Sequence, residues 1–172
     1  MPRLLDRMPF TRDSASLSVR GEPVTIRADQ IIVWITLTLR RVSEPNLLAI
    51  PFPAILDTGY NHSFAIQERQ LIAWAGLRSE MLGVIGAVRE RGLRLPLREA
   101  NLWIHVNQRH TRDLRLNHQP VLLNAGRGIA VLPNDFPRLP ILGLRAIAEN
   151  RLMLCVNGPR RVATLRTSLF GW

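Results

Sequence analysis

Asp57 is the residue of this sequence whose position most directly suggests chemistry, because an apolar run leads straight to it. Residues 53–56 are Pro-Ala-Ile-Leu, and Thr58 and Gly59 follow the carboxylate. A carboxylate beside buried apolar side chains is costly unless it accepts hydrogen bonds or performs a reaction. Two interpretations are open. Asp57 is either a turn aspartate that accepts hydrogen bonds from the backbone amides of Gly59 and Tyr60, or a carboxylate that takes part in acid–base chemistry.

A second distinctive stretch lies in the last third of the chain. Residues 138–147 read Arg-Leu-Pro-Ile-Leu-Gly-Leu-Arg-Ala-Ile, which predicts a buried strand that ends at Gly143 and turns into a short helix through about Asn150. A glycine at this point is also typical of tight packing before a helix.

Between these two stretches the pattern predicts a long hairpin with a charged tip. Residues 81–88 are apolar, residues 89–92 are Arg-Glu-Arg-Gly, and leucines then alternate with arginine and proline over residues 93–98. Residues 100–106 continue as a further strand.

Taken in this order, the stretches resemble the retropepsin family, the single-domain aspartic peptidases related to retroviral proteases. Residues 54–59 look like the active-site loop of that family, and Ser63 stands where the family usually has Ser or Thr. Residues 92–106 are similar to the descending arm of its flap, and residues 140–144 resemble its apolar-apolar-Gly segment. The resemblance covers roughly residues 30–166 and is closer to the cellular and bacterial single-domain type than to the short viral enzymes.

The resemblance implies a mostly β fold. The expected form is a single-lobe acid-protease closed barrel with one or two short helices and a flap hairpin, active as a homodimer without metal or cofactor. It implies that Asp57 is catalytic, with Thr58 and Gly59 supporting the loop. The candidates for the substrate cleft and flap are Tyr60, Asn61, Arg89, Glu90, Arg91, Gly92 and Ile141, and the residues expected behind the site are Leu142 and Gly143.

One Asp-Thr-Gly in a chain of 172 residues has a mechanistic consequence. Peptide hydrolysis without a metal needs one base to activate water and one acid to protonate the leaving nitrogen, and two carboxylates that share a proton can do both. The second carboxylate is then Asp57 of a symmetry mate, since a two-fold interface brings identical residues together. The Thr58 hydroxyl is suited to donate across the axis, and the hairpin of residues 152–166 is the candidate for much of the interface.

Three departures from the family pattern keep a second function class open. Tyr60 replaces the usual Ala or Ser, Asn61 replaces an Asp that helps to hold the substrate backbone, and the flap tip is charged rather than Gly-rich. The alternative is a non-catalytic dimeric peptide-binding or interaction module on the same fold.

The remaining elements follow from periodicity and turn residues. Residues 30–40 are rich in β-branched side chains and predict a strand, and residues 67–75 predict a helix that ends at Gly76. Residues 152–166 predict a β-hairpin around Asn157-Gly158, the strongest short-range turn signal.

The charge balance favours no specific partner class. All 23 basic residues are Arg, against 13 acidic residues, for a net charge of +10. Such a field attracts nucleic acid without specificity, so a basic nucleic-acid-associated protein is the weaker alternative. The arginines are scattered and no basic run is interleaved with aromatics, so no specific nucleic-acid partner is expected.

Compartment and domain organisation follow from simpler features. Cys155 is the only cysteine, which excludes an internal disulfide and indicates a reducing, cytoplasmic compartment. The longest apolar run, residues 31–39, is too short to span a bilayer, so no membrane partner is expected. Residues 1–28 are expected to be an N-terminal tail or arm, and residues 29–172 the retropepsin-like domain. The histidines, including His105, His110 and His118, lack companions at metal-ligand spacing and are interpreted as surface residues of a loop.

Overall fold

The computed structural model describes residues 3–45, 49–90, 92–115, 117–136 and 138–168. Over these residues the chain is mostly β, as the sequence predicts, with two short α-helices and one turn of 3-10 helix at Ser79–Met81. The elements in chain order are β1 (Arg3–Pro9), β2 (Ala15–Val19), β3 (Glu22–Ile26), β4 (Ile32–Thr38), β5 (Phe52–Asp57), β6 (Phe64–Gln67), α1 (Glu68–Ala75), β7 (Val84–Glu90), β8 (Leu93–Arg98), β9 (Asn101–His105), β10 (Val121–Leu123), β11 (Ile129–Leu132), β12 (Ile141–Gly143), α2 (Leu144–Glu149), β13 (Leu152–Asn157) and β14 (Val162–Thr167).

Nine strands form one mixed sheet in the order β10-β9-β4-β5-β12-β6-β11-β8-β7. Its edge strands β10 and β7 do not pair with each other, so over the described residues the sheet is open and the predicted closed barrel is wrong. The physical reason lies in the edges themselves. β10 has only three residues, so it could offer the seven-residue strand β7 no more than a short ladder, and the first four residues of β7 are exposed to solvent.

The strand predicted over residues 30–40 is confirmed as β4, which pairs with β5 on one side and β9 on the other. Six of its seven residues are buried. This central position explains the near-continuous apolar pattern of the sequence, because a strand covered on both faces shows little alternation.

The short strand β12 lies between β5 and β6 and holds the centre of the sheet together. It runs parallel to β5, with Leu142 beside Leu56 and Gly143 beside Asp57, and antiparallel to β6. The predicted change from a buried strand to a helix at Gly143 is confirmed, because α2 begins at Leu144 and is capped at Asn150.

The predicted helix of residues 67–75 is confirmed as α1, with the expected glycine at its C-terminus. Gly76 adopts the left-handed conformation with φ 66°, and its N–H donates to the carbonyl of Ile72, while Leu77 N–H donates to Leu71. Glycine takes this conformation without steric penalty, so the helix ends where the chain first offers it. No helix among the described residues is long and apolar enough to cross a membrane.

The described part of the predicted N-terminal extension is folded against the rest of the chain. β1 pairs with β14, and Leu4, Leu5 and Met8 are fully buried in the main core. β2 and β3 form a separate two-stranded hairpin that buries Ile26.

The hairpin predicted over residues 152–166 is confirmed, but its turn differs from the expected two-residue Asn-Gly turn. Asn157 pairs with Val162, which leaves four residues in the loop, and Gly158 does not have a positive φ. The Asn157 side chain instead accepts a hydrogen bond from the Arg160 amide at 2.9 Å, and Arg161 takes the left-handed conformation with φ 50°. Within this hairpin, β14 also pairs with β1, so only the outer edge of β13 lacks a described partner.

Candidate active site

Asp57 is the last residue of β5, and the strand carries it from the core to the surface. Phe52, Ala54 and Leu56 are buried in the same strand, whereas Asp57 is half-buried and the two residues that follow it are exposed. The apolar run therefore anchors the strand, and the carboxylate emerges at its end without full desolvation.

The carboxylate is oriented by the turn that follows it. Asp57 Oδ1 accepts a hydrogen bond from the Gly59 amide at 2.8 Å, while the Tyr60 amide donates to the backbone carbonyl of Asp57 at 3.2 Å. This aspartate turn belongs to both interpretations made from the sequence, because a catalytic carboxylate and a purely structural one each accept the Gly59 N–H. Thr58 and Gly59 lie exposed at the tip of the loop, beside the carboxylate.

Gly143 lies behind the loop, in contact with its backbone. A Cβ placed on Gly143 would be 2.1 Å from the His62 carbonyl oxygen and 2.5 Å from that of Tyr60. Two hydrogen bonds fix the approach: the Gly143 amide donates to the Ser63 carbonyl at 3.0 Å, and the Leu144 amide donates to the Tyr60 carbonyl at 2.8 Å. The two stretches that the sequence singled out therefore form one structural unit.

The other residues of the loop divide between surface and interior. Asn61 is exposed, whereas Ser63 is buried and its hydroxyl has no hydrogen-bond partner among the described residues. Leu142 is fully buried in the main core, so it supports the loop from behind.

Tyr60 turns inward and joins a second, smaller core, here called the satellite core. Its ring is only 7% exposed, and its hydroxyl has no hydrogen-bond partner among the described residues. The buried members of the satellite core are Tyr60, Ala65, Leu95, Leu97, Ala130, Leu132, Phe136 and Ile141. Ile141, a candidate for the substrate cleft, is thus packed beneath the β7–β8 hairpin with 2% of its surface exposed.

The predicted flap is the β7–β8 hairpin, and one of its faces is packed against the body of the chain. Leu95 and Leu97 of β8 are buried in the satellite core, and Val88 of β7 packs against it. Gly92 has φ 80°, a conformation suited to the tight tip. Arg91, another predicted tip residue, lies outside the described residues.

The tip of the hairpin is tied to the chain by an ion pair that the sequence analysis did not identify. Glu90 accepts a hydrogen bond from Arg138 at 3.2 Å, and both side chains are largely shielded from solvent. Arg138 also lies over the Phe136 ring, 5.8 Å from its centroid. No local pattern signals a contact between residues 48 positions apart, so only the tertiary structure reveals it.

On the opposite face of the hairpin, Arg89 and Arg94 are exposed and directly paired across the two strands. Like charges in this position repel each other, so they weaken the hairpin. The hairpin is therefore held to the chain by its inner face.

The histidines do not form a metal site in the described part of the chain, where no group of three possible ligands lies together. His105 is not a loop residue as the sequence suggested. It lies in β9, half-buried, with Nε2 2.7 Å from the Thr36 hydroxyl. Burial lowers the pKa of His105 to about 4, so the ring is neutral at physiological pH.

The buried Tyr60 hydroxyl predicts an unusual titration. Burial, followed by the nearby Glu90 carboxylate, raises the pKa of Tyr60 to about 12 from its ordinary value of 10, while Arg138 acts in the opposite direction. Since Tyr60 is the only tyrosine, the near-ultraviolet absorbance of tyrosinate reports this group alone. We expect it to appear near pH 12 in the folded protein and near pH 10 in urea.

The same shift makes folding stability depend on pH in a defined window. A raised pKa in the folded state contributes stability that is complete below pH 10 and is lost as the pH rises to about 12. Tyr60→Phe serves as the control: it should remove this part of the decline and change stability at neutral pH by no more than about 1 kcal/mol, because the lost hydroxyl has no described partner. Ionisation of the folded wild type near pH 10 would contradict the assignment.

Comparison of the chain with protein-family models, curated proteins and solved structures found no match in any of the three.

Proposed function

We propose that this protein is a retropepsin-like aspartic endopeptidase whose active site forms when two copies bring their Asp57 side chains together. The placement of Asp57 carries this proposal. The carboxylate emerges at the end of a buried strand, the Gly59 amide orients it, and Thr58 beside it is exposed and available to a second copy. One chain supplies a single carboxylate of this kind, because Asp-Thr-Gly occurs once in the sequence.

In the proposed reaction, water lies between two Asp57 carboxyl groups that share one proton. The ionised group takes a proton from the water, and the water oxygen attacks the carbonyl carbon of the substrate peptide. The protonated group donates its proton to the developing oxyanion, which gives a neutral tetrahedral diol. The C–N bond then breaks as the carboxyl group that took the proton of water passes it to the leaving nitrogen, while the other carboxylate takes back a proton from one hydroxyl of the diol. Two like charges so close cannot both be ionised, so one shared proton is the stable arrangement.

β13 is the element that best fits the proposed two-fold contact. Its outer edge lacks a described partner, and Met153 and Val156 are 41% and 50% exposed on it. An unpaired strand edge with apolar side chains is a ready surface for pairing with a second chain. The predicted interface hairpin of residues 152–166 therefore contributes through β13, because β14 is already paired on its other side by β1.

A mixing experiment tests whether the active site needs two chains. Wild-type protein is mixed with an equal amount of Asp57→Asn protein and incubated until the subunits have exchanged. Cleavage of a peptide library by this mixture is then compared with cleavage by wild-type protein at the same total concentration. If each site needs both carboxylates, only about a quarter of the dimers stay active. A remaining activity near one half, or cleavage by a species that sedimentation shows to be monomeric, would rule out the shared site.

A second candidate function rests on the hairpin. Its inner face is packed on Tyr60 and Ile141, and Glu90 ties its tip to Arg138, so the space beneath it is filled by the chain itself. Because a filled space does not admit a substrate, this arrangement suits a non-catalytic dimeric interaction module on the same fold. A statine-type transition-state mimic separates the two candidates, since it binds tightly only where two carboxyl groups share a proton around a water site.

A further inference from the structure

A cavity of about 420 Å³ lies between β3 and α1, away from the Asp57 loop. Val24 of β3, Trp74 of α1 and Leu139 line its apolar part, and none of its lining residues belongs to residues 57–63. Pockets for small ligands in proteins have volumes of roughly 300–1,000 Å³ and combine an apolar wall with a few polar groups. This cavity is therefore large enough for a small organic ligand.

Three charged residues lie among those that line the cavity, beside the polar residues Thr25 and Gln70. Arg69 and Arg138 line the cavity together with Glu22. Each guanidinium already has one protein acceptor: Arg69 Nε donates to Gln67 Oε1 at 2.8 Å, and Arg138 Nη2 donates to Glu90 Oε1 at 3.2 Å.

These contacts orient the two arginines without using all of their donors. The remaining N–H groups of Arg69 and Arg138 have no acceptor, and Glu22 has no ion-pair partner, among the residues that the structure describes. Guanidinium groups bind carboxylates by charge-assisted hydrogen bonds, and a carboxylate binds ammonium in the same way. The cavity thus offers sites for both signs of charge beside an apolar wall.

We infer that the cavity binds a zwitterion with an apolar body, namely an amino acid or short peptide with free termini. Its carboxylate contacts Arg69 and Arg138, its ammonium group contacts Glu22, and its apolar side chains lie against Trp74 and Leu139. Arg138 also holds Glu90 at the tip of the β7–β8 hairpin, so the ligand carboxylate and the hairpin share one guanidinium. This site goes beyond the proposed peptidase function and does not depend on it.

The binding test uses Asp57→Asn protein, so that hydrolysis cannot consume the probe and a failed peptidase proposal leaves the result intact. The probes are leucine and trileucine, which distinguish an amino acid from a peptide, together with N-acetyl-trileucine and trileucine amide, which each lack one charge. Fluorescence of Trp74 reports occupancy, and Trp74→Phe in the same background should remove the saturable change. Calorimetry gives an independent affinity.

We expect saturable binding of leucine or trileucine, and binding at least about tenfold weaker for the amide, because it loses its charge-assisted bonds to both arginines. Arg69→Gln should weaken binding of the zwitterionic probe by about the same factor. Arg12 is an exposed arginine outside the cavity, so Arg12→Gln should leave the affinity for the probe unchanged.

Two further variants give results that simple misfolding would not produce. Glu90→Gln should tighten binding several-fold, because Arg138 no longer shares its charge with a carboxylate. Glu22→Gln should weaken the binding of trileucine but leave the affinity for N-acetyl-trileucine unchanged, since only a free ammonium group contacts Glu22. Equal affinity for trileucine and its amide, no effect of Arg69→Gln, or no saturable binding of either free-terminus probe would overturn the inference.

Discussion

Asp57→Asn is expected to lower peptide cleavage by about a thousandfold or more while leaving the fold unchanged. The amide has nearly the shape of the carboxyl group, and its oxygen can accept the same hydrogen bond from the Gly59 amide that Asp57 Oδ1 accepts at 2.8 Å. What it loses is the ability to take a proton from water and to share a proton with a second carboxylate. Initial rates on a peptide library, with circular dichroism and urea unfolding of both proteins, provide the measurement.

A matched variant separates this effect from a general loss of negative charge. Asp13 is exposed in the segment before β2, and Asp13→Asn removes the same charge far from the loop in sequence. It should cleave at the wild-type rate. If Asp57→Asn also retained activity, Asp57 would be a structural turn residue and the peptidase proposal would fail.

Gly143→Ala is expected to destabilise the protein by about 3 kcal/mol or more, or to prevent it from folding. The backbone of Gly143 has φ −97° and ψ 176°, which alanine adopts without strain, so the effect comes from space alone. The added methyl group would overlap the carbonyl oxygens of His62 and Tyr60 at 2.1 and 2.5 Å, closer than such atoms can approach. The loop that carries Asp57 would have to move away from β12.

Gly158→Ala is the control for this prediction. Gly158 has no positive φ, and nothing lies within 4 Å of the position that its Cβ would take. Its substitution should change the free energy of unfolding by less than about 0.5 kcal/mol. Urea unfolding of the two variants beside wild type measures the difference, and equal midpoints for Gly143→Ala and wild type would show that the loop is not held against β12.

The parts of the fold that sequence reasoning predicted correctly are those with local causes. The β-branched run gives β4, the helix formers before Gly76 give α1, and Gly143 separates β12 from α2. Each follows from backbone preferences within a few residues. The contact between the Asp57 loop and the Gly143 segment was expected only through the family resemblance.

The features that were missed depend on contacts between distant parts of the chain. Whether the sheet closes depends on pairing between β7 and β10, which are far apart in sequence. The sequence of neither strand indicates that one of its edges stays unpaired. The pairing of β1 with β14 likewise joins two strands that are far apart in sequence. The prediction of a two-residue turn in the β13–β14 hairpin was wrong for a different reason. The Asn157 side chain accepts a hydrogen bond from the Arg160 amide, in a loop of four residues.

The inward position of Tyr60 was also beyond sequence reasoning. The family resemblance made it a candidate for the substrate cleft beside the active-site loop. The structure buries it with Leu95, Phe136 and other apolar residues of the satellite core. A tyrosine is compatible with either position because its ring is apolar and only its hydroxyl is polar.

The pairing of β1 with β14 has a consequence for how the protein is made. Arg3 lies opposite Arg166, and Leu5 lies opposite Leu165, so the sheet joins residues about 160 positions apart. During synthesis on the ribosome, β1 emerges before β14, so it has no native partner strand until the residues between them have been translated. Leu4, Leu5 and Met8, fully buried in the folded protein, cannot complete their native packing in that time. Only a nascent chain extended through β14 can bury them as the folded protein does.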